Sequence, residues 1–239
     1  MVLQLTGRAL SVNELATLPP SGPIRVELGP GAREAIAAAA DSARAGSVDG
    51  PVYGRTTGVG ANRTVAVAEG DDQHGLRLIR SHAYDAGEPL SAAVVRAAMV
   101  VRANQLAQAR SGLRPEVLDA LMAAINDGRW PTVGRASSMG VGDVALFAAV
   151  GLALLGERPW SDGTVHAYLD HIGAEDALAV MSTNAALIAQ AALMAHRTER
   201  LLHTVHVVAA LSHVAMRGNG EAFDASVHAA RPHAGTLRS

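Results

Sequence analysis

Residues 125–157, INDGRWPTVGRASSMGVGDVALFAAVGLALLGE, decide the fold class. The stretch starts at the end of one helical pattern, NDG, crosses a loop of small residues and continues as an apolar run. In that run apolar residues recur at intervals of three or four, which predicts a helix over 142–156. The preceding helix, predicted over 114–127, has Pro115 in its first turn and stops at NDG. The stretch therefore predicts two helices joined by a loop.

The rest of the chain repeats this helical pattern. Strand candidates are short and confined to 3–6 and 24–28. Further segments with helical spacing of apolar residues precede an irregular tail; they cover 31–45, 72–84, 88–110, 164–171 and, as the longest, 174–217. We see no Gly/Ser linker and no internal repeat. We therefore expect a mainly α protein with a single domain over residues 1–239.

Composition excludes several classes of function. Of the 239 residues, 49% are hydrophobic and 18% are charged, which is typical of a globular protein. The net charge of −2, without a basic cluster, gives no reason to expect nucleic acid as a partner. The chain has neither cysteine nor lysine, so disulfides, thiolate sites and lysine Schiff bases are excluded.

The chain carries no recognisable membrane or export signal. Its first residues lack the basic-then-apolar pattern of a signal peptide. No apolar run approaches the ~18–20 residues that span a bilayer. We therefore expect a cytoplasmic protein with no membrane partner.

The segment 174–217 carries apolar residues on more than one stripe of the predicted helix. Such a helix needs other helices to cover it, which indicates an oligomer or a partner chain. His196, His203, His206 and His213 lie on one side of it. Only His203 and His206, three residues apart, could chelate one ion, and no carboxylate shares that spacing. We expect no bound metal.

Three stretches, in the same order and at similar spacing, resemble the aromatic amino acid lyases, the family of histidine, phenylalanine and tyrosine ammonia-lyases. They are VYGRTTGVG (52–60), RSHAYDAGEPL (80–90) and the stretch 125–157. The resemblance runs from about Leu3 to His233 but corresponds only to the first half of a family member. It implies an ammonia-lyase-like helical domain whose long C-terminal helices pack in an oligomeric bundle, with the second half absent or on a partner chain.

The resemblance also locates the family's prosthetic group, methylidene-imidazolone, which forms by cyclisation of an Ala-Ser-Gly triplet. The matching triplet here is Gly140-Val141-Gly142, and valine has no β-hydroxyl to eliminate. The Ala-Ser-Ser triplet at 136–138 has a central hydroxyl, but it lies four residues upstream and lacks the glycine that eases ring closure. We therefore expect neither methylidene-imidazolone nor another cofactor.

A second departure from the family pattern agrees with the first. The family's asparagine that holds the prosthetic group's oxygen falls on Ser182, with Asn184 two residues later. Without the group, these positions are expected to line a substrate pocket, together with the altered triplet. The expected pocket residues in these two segments are Gly140, Val141, Gly142, Ser182 and Asn184.

The resemblance assigns acid–base chemistry to Tyr53, since the matching tyrosine of the family removes the substrate's β-proton. An ordinary phenol is a weak base at neutral pH, so such a site must favour proton loss. Ser81 and His82 match the pair that contacts the substrate side chain. His82 is expected to be a second catalytic residue, which orients the substrate, and with Tyr84 and Asp85 it could form an acid–base or hydrogen-bonding set. Ser81, Tyr84 and Asp85 are the expected substrate-binding residues of this segment. The alternatives are a loop tyrosine that only packs at 53 and a helix end capped by Asp85.

These residues predict an ammonia-lyase-like enzyme without methylidene-imidazolone, re-used for proton transfer. The reaction would be an elimination, isomerisation or cyclisation of a small metabolite in specialised biosynthesis. Its partners would be the small-molecule substrate and either further copies of the chain or a chain that supplies the second half. Glu88 and Arg102 are expected to hold the helix framework. The alternative is a non-catalytic or regulatory subunit, or a degenerate histidine ammonia-lyase-like protein.

Overall fold

A computed structural model of the protein describes residues 2–46, 50–137 and 142–238, with residues 237 and 238 described by their backbone alone. Helices dominate, and the predicted mainly α class is confirmed. In chain order the elements are β1 (Val2–Leu5), α1 (Val12–Ala16), β2 (Arg25–Leu28), α2 (Ala32–Ala45), α3 (His74–His82), α4 (Ala92–Leu106), α5 (Pro115–Asn126), α6 (Val144–Leu154), α7 (Ala174–Met181), α8 (Ala185–Ala215), α9 (Ala225–Ala230) and α10 (Ala234–Arg238).

The two predicted strands pair with each other in parallel. Alternate side chains of β1 and β2 are buried, as expected for strands that cover a helical core on one side. Asn126, the last residue of α5, holds β2 in place. Its Oδ1 accepts a hydrogen bond from the Val26 amide (2.8 Å), and its Nδ2 donates to the Val26 carbonyl (3.2 Å).

The core lies among α3 to α7. The central part of α4 and nearly all of α6 are buried on every side, which explains why their sequences show no polar face. α3 and α7 approach closely where Gly75 faces Gly173: a Cβ atom at Gly75 would lie 2.3 Å from the Gly173 carbonyl oxygen. The two helices therefore need glycine at position 75.

One buried ion pair joins the start of α5 to α7. Asp176, which is wholly buried, accepts hydrogen bonds from the Arg114 amide (3.0 Å) and the Arg114 Nε (2.7 Å). The same carboxylate accepts from the Gly173 amide at the start of α7 (3.2 Å). A charge removed from water is stable only when it is paired and hydrogen-bonded in this way.

The chain divides into two compact units, Met1–Leu193 and Met194–Ser239. α8 crosses the boundary, and its buried residues all fall within Ala185–Ala192. The prediction of a single domain stays a prediction.

Three predictions from the sequence are corrected. The helix predicted over 164–171 is wrong, because the amides of Tyr168 and Leu169 donate to the Leu154 carbonyl at the end of α6. The segment 174–217 is two helices, α7 and α8, separated by residues 182–184. The tail is not irregular, since it contains a 3-10 turn, α9 and α10.

The stretch Ala174–Ala215, which contains α7 and α8, has the length and apolar composition of a membrane span when it is taken as one helix, contrary to the expectation that no run approaches it. The most apolar part of this stretch is 39% buried within the protein. Core helices of soluble proteins have the same length and composition, so the stretch is weak evidence for a membrane.

Candidate functional site

The Tyr53 segment is an ordered loop closed by its own backbone. The Val52 carbonyl accepts hydrogen bonds from the Arg55 and Thr56 amides (3.0 and 2.9 Å). Farther along, the Val67 amide donates to the Thr56 carbonyl (2.8 Å), and Thr57 forms an isolated antiparallel bridge with Ala66. The loop therefore presents Tyr53 from a defined backbone.

Glycine at position 54 lets this loop lie directly on α7. Gly54 has a φ of +74°, and a Cβ atom there would lie 2.7 Å from Leu178 Cδ2. Next to it, the Tyr53 hydroxyl oxygen accepts a hydrogen bond from the Gly60 amide (2.9 Å), and the side chain is 51% exposed. The hydroxyl is thus held by its oxygen, and no described residue accepts a hydrogen bond from it.

Tyr53 lines a cavity of about 480 Å³ between its own loop, α4 and α7. Ser182, at the end of α7, also lines it, so two of the residues predicted to contact substrate do meet at one cavity. The remaining polar lining comes from residues that the sequence analysis did not place in a site: Arg55, Arg102, Gln105, Arg110, Ser111 and Glu175.

Gln105 connects the cavity to the segment 182–184. Its Oε1 accepts hydrogen bonds from Thr183 Oγ1 (2.6 Å) and Arg102 Nη1 (2.9 Å), and its Nε2 donates to Asn184 Oδ1 (3.3 Å). Asn184 is therefore at the back of the cavity wall and not among the residues described as lining it.

Ser81 and His82 lie at the end of α3 and turn toward their own helix. Ser81 Oγ donates to the Leu78 carbonyl (2.8 Å), and His82 Nδ1 lies 2.8 Å from the same oxygen. Because a carbonyl only accepts, this contact assigns the proton to Nδ1, which also lies 3.0 Å from Ser81 Oγ, and no described residue bonds Nε2. His82 is half-buried, and its Nε2 could form a hydrogen bond with a ligand.

Asp85 anchors the start of the loop that begins at Gly134. Its Oδ1 accepts hydrogen bonds from the Gly134 amide and from Ser137 Oγ (3.3 Å), and its Oδ2 pairs with Arg158. Ser137 Oγ in turn accepts from the Ala86 amide (3.0 Å). Burial opposes the charged form, but these donors outweigh it and hold the pKa of Asp85 below its usual value.

A second carboxylate anchors the other end of the same loop. Asp143 Oδ2 accepts hydrogen bonds from the Ala186 and Leu187 amides (2.7 and 3.1 Å) at the start of α8. The Asp143 amide donates to the Thr183 carbonyl (2.8 Å). Gly142 has a φ of +90°, and a Cβ atom there would lie 3.1 Å from the same carbonyl oxygen. The loop is therefore fixed on both sides of residues 138–141.

The structure separates the predicted site residues into two groups. Tyr53 and Ser182 line the cavity, whereas Ser81, His82, Tyr84 and Asp85 are not among the described residues that line it. Tyr84 is 38% exposed. Gly140 and Val141 lie outside the described residues. At Gly142 an added Cβ atom would lie 3.1 Å from the carbonyl oxygen of Thr183, the residue before Asn184.

The residues of the loop between Gly134 and Asp143 do not fit methylidene-imidazolone. The triplet 140–142 supplies no β-hydroxyl, so the exocyclic methylene has no source. The serine at 137, the upstream alternative, is 3% exposed and uses its hydroxyl to tie Ala86 to Asp85. Within the described ranges, no group of three or more His, Asp or Glu residues could hold a metal ion.

Sequence reasoning missed Arg102 and Gln105 as cavity residues. Arg102 was assigned to the helix framework, and it does donate to the Ala179 carbonyl of α7. One signal was present: α4 reads AAVVRAAMVVRANQL, in which Arg96 and Arg102 interrupt an otherwise apolar run. A charged residue in such a run has to find either internal partners or a cavity.

Comparisons with known proteins identify the family of the chain. The sequence profile of the aromatic amino acid lyases matches residues 10–239. The histidine ammonia-lyase of Gloeobacter violaceus is 35% identical over 253 aligned positions, covering 99% of this chain and 49% of that protein. The histidine ammonia-lyase of Symbiobacterium thermophilum is 34% identical and covers 96% of this chain and 48% of that protein.

Solved structures give the same result for the fold. Ergothionase from Treponema denticola, an ergothioneine-degrading enzyme, aligns with a TM-score of 0.84 at 26% identity over 97% of this chain and 49% of its own. Histidine ammonia-lyase from Trypanosoma cruzi aligns with a TM-score of 0.84 at 25% identity over 98% of this chain and 48% of its own. The chain thus spans about half the length of these relatives.

Proposed function

The chain belongs to the aromatic amino acid lyase family, and we propose that it forms a lyase-like site that works by proton transfer without methylidene-imidazolone. The proposed substrate is a small metabolite. Tyr53 would exchange a proton with it, and Ser182 and the residues around Gly142 would line the space left by the missing group. We place the reaction among eliminations, isomerisations or cyclisations of specialised biosynthesis, in the cytoplasm.

The observation that carries this proposal is the construction of the Tyr53 loop. Its turn is closed by hydrogen bonds, it rests on α7 through Gly54, the Gly60 amide holds its phenol oxygen, and Tyr53 lines a cavity of about 480 Å³. Ordering a loop costs conformational entropy, roughly 1–2 kcal/mol per residue. A tyrosine that only anchored a turn would not need to line a cavity.

Hydrogen–deuterium exchange into a substrate tests the role of Tyr53. The purified protein is incubated in D₂O with imidazolepyruvate or 4-hydroxyphenylpyruvate, the α-keto analogues of histidine and tyrosine, whose β-protons are acidified by the neighbouring carbonyl. Deuterium at the β-carbon is followed by NMR against a protein-free control, and ammonia release from L-histidine is assayed separately. We expect exchange without ammonia, and its loss in Tyr53→Phe. Tyr84→Phe, whose phenol is not among the described lining, is the matched control and should retain exchange.

Two results would overturn the proposal. The first is an intact mass lower than the sequence mass by two waters, together with ammonia release, since this would show that a prosthetic group forms. The second is equal exchange in the Tyr53→Phe variant and the wild type, which would remove Tyr53 as the acid or base.

A partner chain is the second part of the proposal. From Met194 onward α8 exposes large apolar side chains, and the chain spans about half the length of its relatives. We propose that this surface is covered in an oligomer, by further copies or by a chain that supplies the family's second half. Sedimentation of the wild-type protein, alone and after co-expression with such a chain, gives the stoichiometry; a monomer under both conditions would refute it.

The alternative function is a non-catalytic or regulatory subunit, or a degenerate relative of histidine ammonia-lyase. Ser182 and Val141 stand where the family has the asparagine and the serine that its chemistry uses. These two replacements favour the alternative function. Absence of Tyr53-dependent β-proton exchange with either keto acid, in a protein that still forms the proposed oligomer, would support this alternative over the enzyme.

A further inference from the structure

The cavity beside Tyr53 carries an excess of positive charge. Arg55, Arg102 and Arg110 line it, and Glu175 is its only carboxylate among the described lining residues. Glu175 lies 3.7 Å from the Nε of Arg114, so its charge is already shared with an arginine outside the lining. A cleft lined by one sign of charge attracts a ligand of the opposite sign.

Arg102 is the most buried of the three cations. It is 8% exposed, and its two Nη atoms donate to neutral acceptors, Gln105 Oε1 and the Ala179 carbonyl. Its Nε, like that of Arg96, has no hydrogen-bond partner among the described residues, and no described carboxylate pairs with it. Burial lowers the pKa of Arg102 to about 10, which leaves the group charged at neutral pH. A buried cation without a counter-charge is costly unless an anion joins it.

Arg96, six residues earlier on the same helix, shows what a structural arginine looks like here. It is 3% exposed, donates to the Gly22 and Gly128 carbonyls, and its guanidinium lies 4.7 Å from the centre of the Trp130 ring. The void beside it is too small for a water molecule. The protein itself therefore provides the surroundings of Arg96 and leaves no room for a ligand.

Arg102 differs from Arg96 in one respect that matters for binding. It opens onto about 480 Å³ of space, with Arg55 half-buried and Arg110 exposed at the same cavity. Guanidinium groups offer paired N–H donors that match the two oxygens of a carboxylate or phosphate. Ser111 and Ser182 add hydroxyl donors to the lining.

We propose that this cavity binds an oxyanion, a carboxylate or phosphate group on a small molecule, with Arg102 as its buried counter-charge and Arg55 and Arg110 at its mouth. The inference rests on the proposed function only in that the bound molecule would lie beside Tyr53. The anion would fix the ligand at one end, and the phenol would face the part that reacts.

Isothermal titration of the wild-type protein with benzoate, and separately with inorganic phosphate, tests the site. We expect saturable binding that weakens with added salt, and the tighter of the two probes identifies the anion. Arg102→Met, which replaces the buried charge by an apolar side chain, should weaken binding about tenfold or more. Arg96→Met makes the same change on the same helix and should bind the probe like the wild type.

Arg110→Gln is a second variant for the case that Arg102→Met does not fold, because the Arg110 side chain is exposed at the mouth of the cavity. It should fold normally and weaken binding several-fold, with a smaller salt dependence. The site is refuted if the wild type binds neither probe, if Arg102→Met and Arg110→Gln both bind like the wild type, or if Arg96→Met weakens binding as much as Arg102→Met.

The two proposals fail separately. Tyr53→Phe should keep anion binding within about twofold of the wild type while losing proton exchange, since the phenol is not the counter-charge. Anion binding without Tyr53-dependent proton exchange would support the anion site and refute the acid–base role of Tyr53. Tyr53-dependent proton exchange with no anion binding would support the acid–base role and refute the anion site.

Discussion

In the unit Met1–Leu193 the side chains of Phe147, Leu118 and Leu154 are at most 1% exposed, whereas in the unit Met194–Ser239 Leu211 and Val214 are 66% and 73% exposed. The difference is not one of composition, since both regions are rich in apolar residues. In the first unit several helices cover one another; in the second, one helix carries apolar residues that no other described element of that unit covers. A helical pattern in the sequence thus predicts a helix, but it does not predict which other elements bury its apolar side chains.

The polar contacts differ in the same way. In the first unit they join residues far apart in sequence, such as Asp85 with Arg158 and Arg114 with Asp176. In the second, the described side-chain hydrogen bonds are local, for example Thr204 to the Arg200 carbonyl and Ser226 to Asp224. Long-range contacts make a unit cooperative, and local ones only support a helix or turn.

The largest expected effect contrasts one apolar side chain from each region. Phe147→Ala should lower the free energy of unfolding by about 3–5 kcal/mol, because it removes a buried ring and leaves a cavity. Leu201→Ala, at a side chain 62% exposed, should change it by less than about 0.5 kcal/mol in the isolated chain. Urea unfolding followed by circular dichroism measures both; equal losses would contradict the difference between the regions.

The next effect contrasts a long-range carboxylate with a local one. Asp176→Ala leaves Arg114 and the Gly173 amide without their acceptor, and breaking such a buried pair should cost about 3 kcal/mol. Asp224→Ala removes only the N-cap of α9, so we expect local fraying and no shift of the main urea transition. A shift of that transition in Asp224→Ala would show that the second unit is more tightly coupled than its contacts indicate.

A smaller effect depends on pH and on the Asp85 anchor. Its folded-state pKa lies below the ordinary 3.8, so the carboxylate stabilises the fold fully above that value, and this contribution is lost as pH falls through the folded-state pKa. Between pH 5 and pH 2 the amides near Gly134 should lose protection from hydrogen exchange. Asp85→Asn should remove much of this pH dependence, and Asp224→Asn, whose partner Ser226 is local, should not.

Sequence periodicity predicted the helices of the first unit well because each helix buries a continuous apolar surface. α5 matches its prediction within a residue at each end, with proline at its first position. The segment 164–171 could not be predicted, since its amides bond to the end of α6, which only the folded chain brings near. The break at 182–184 has the same origin: Gln105 of α4 holds these residues out of the helix.

Residues of the candidate site could be predicted where they belong to a sequence motif. Residues that reach the site only through the packing of the folded chain could not. The loop of Tyr53 follows from VYGRTTGVG, and Ser182 from its place in the family pattern. The role of Asp85 was not visible, because its partner Gly134 lies 49 residues away. Arg102 needed the structure most, since the sequence cannot show that it opens onto a cavity while Arg96 does not.

The smallest effect on stability should accompany the largest effect on assembly. In Val208→Gln combined with Leu211→Gln, both side chains are more than half exposed, so the unfolding of the isolated chain should change by no more than about 0.5 kcal/mol. If a partner or a second copy covers this surface, the same change places two amides in an apolar interface and should shift sedimentation toward the monomer. His203→Gln, also on α8, controls for a change of a polar side chain. An unchanged oligomer in the double variant would mean that the exposed residues of α8 have no partner there, and the difference between the two regions would then need another cause.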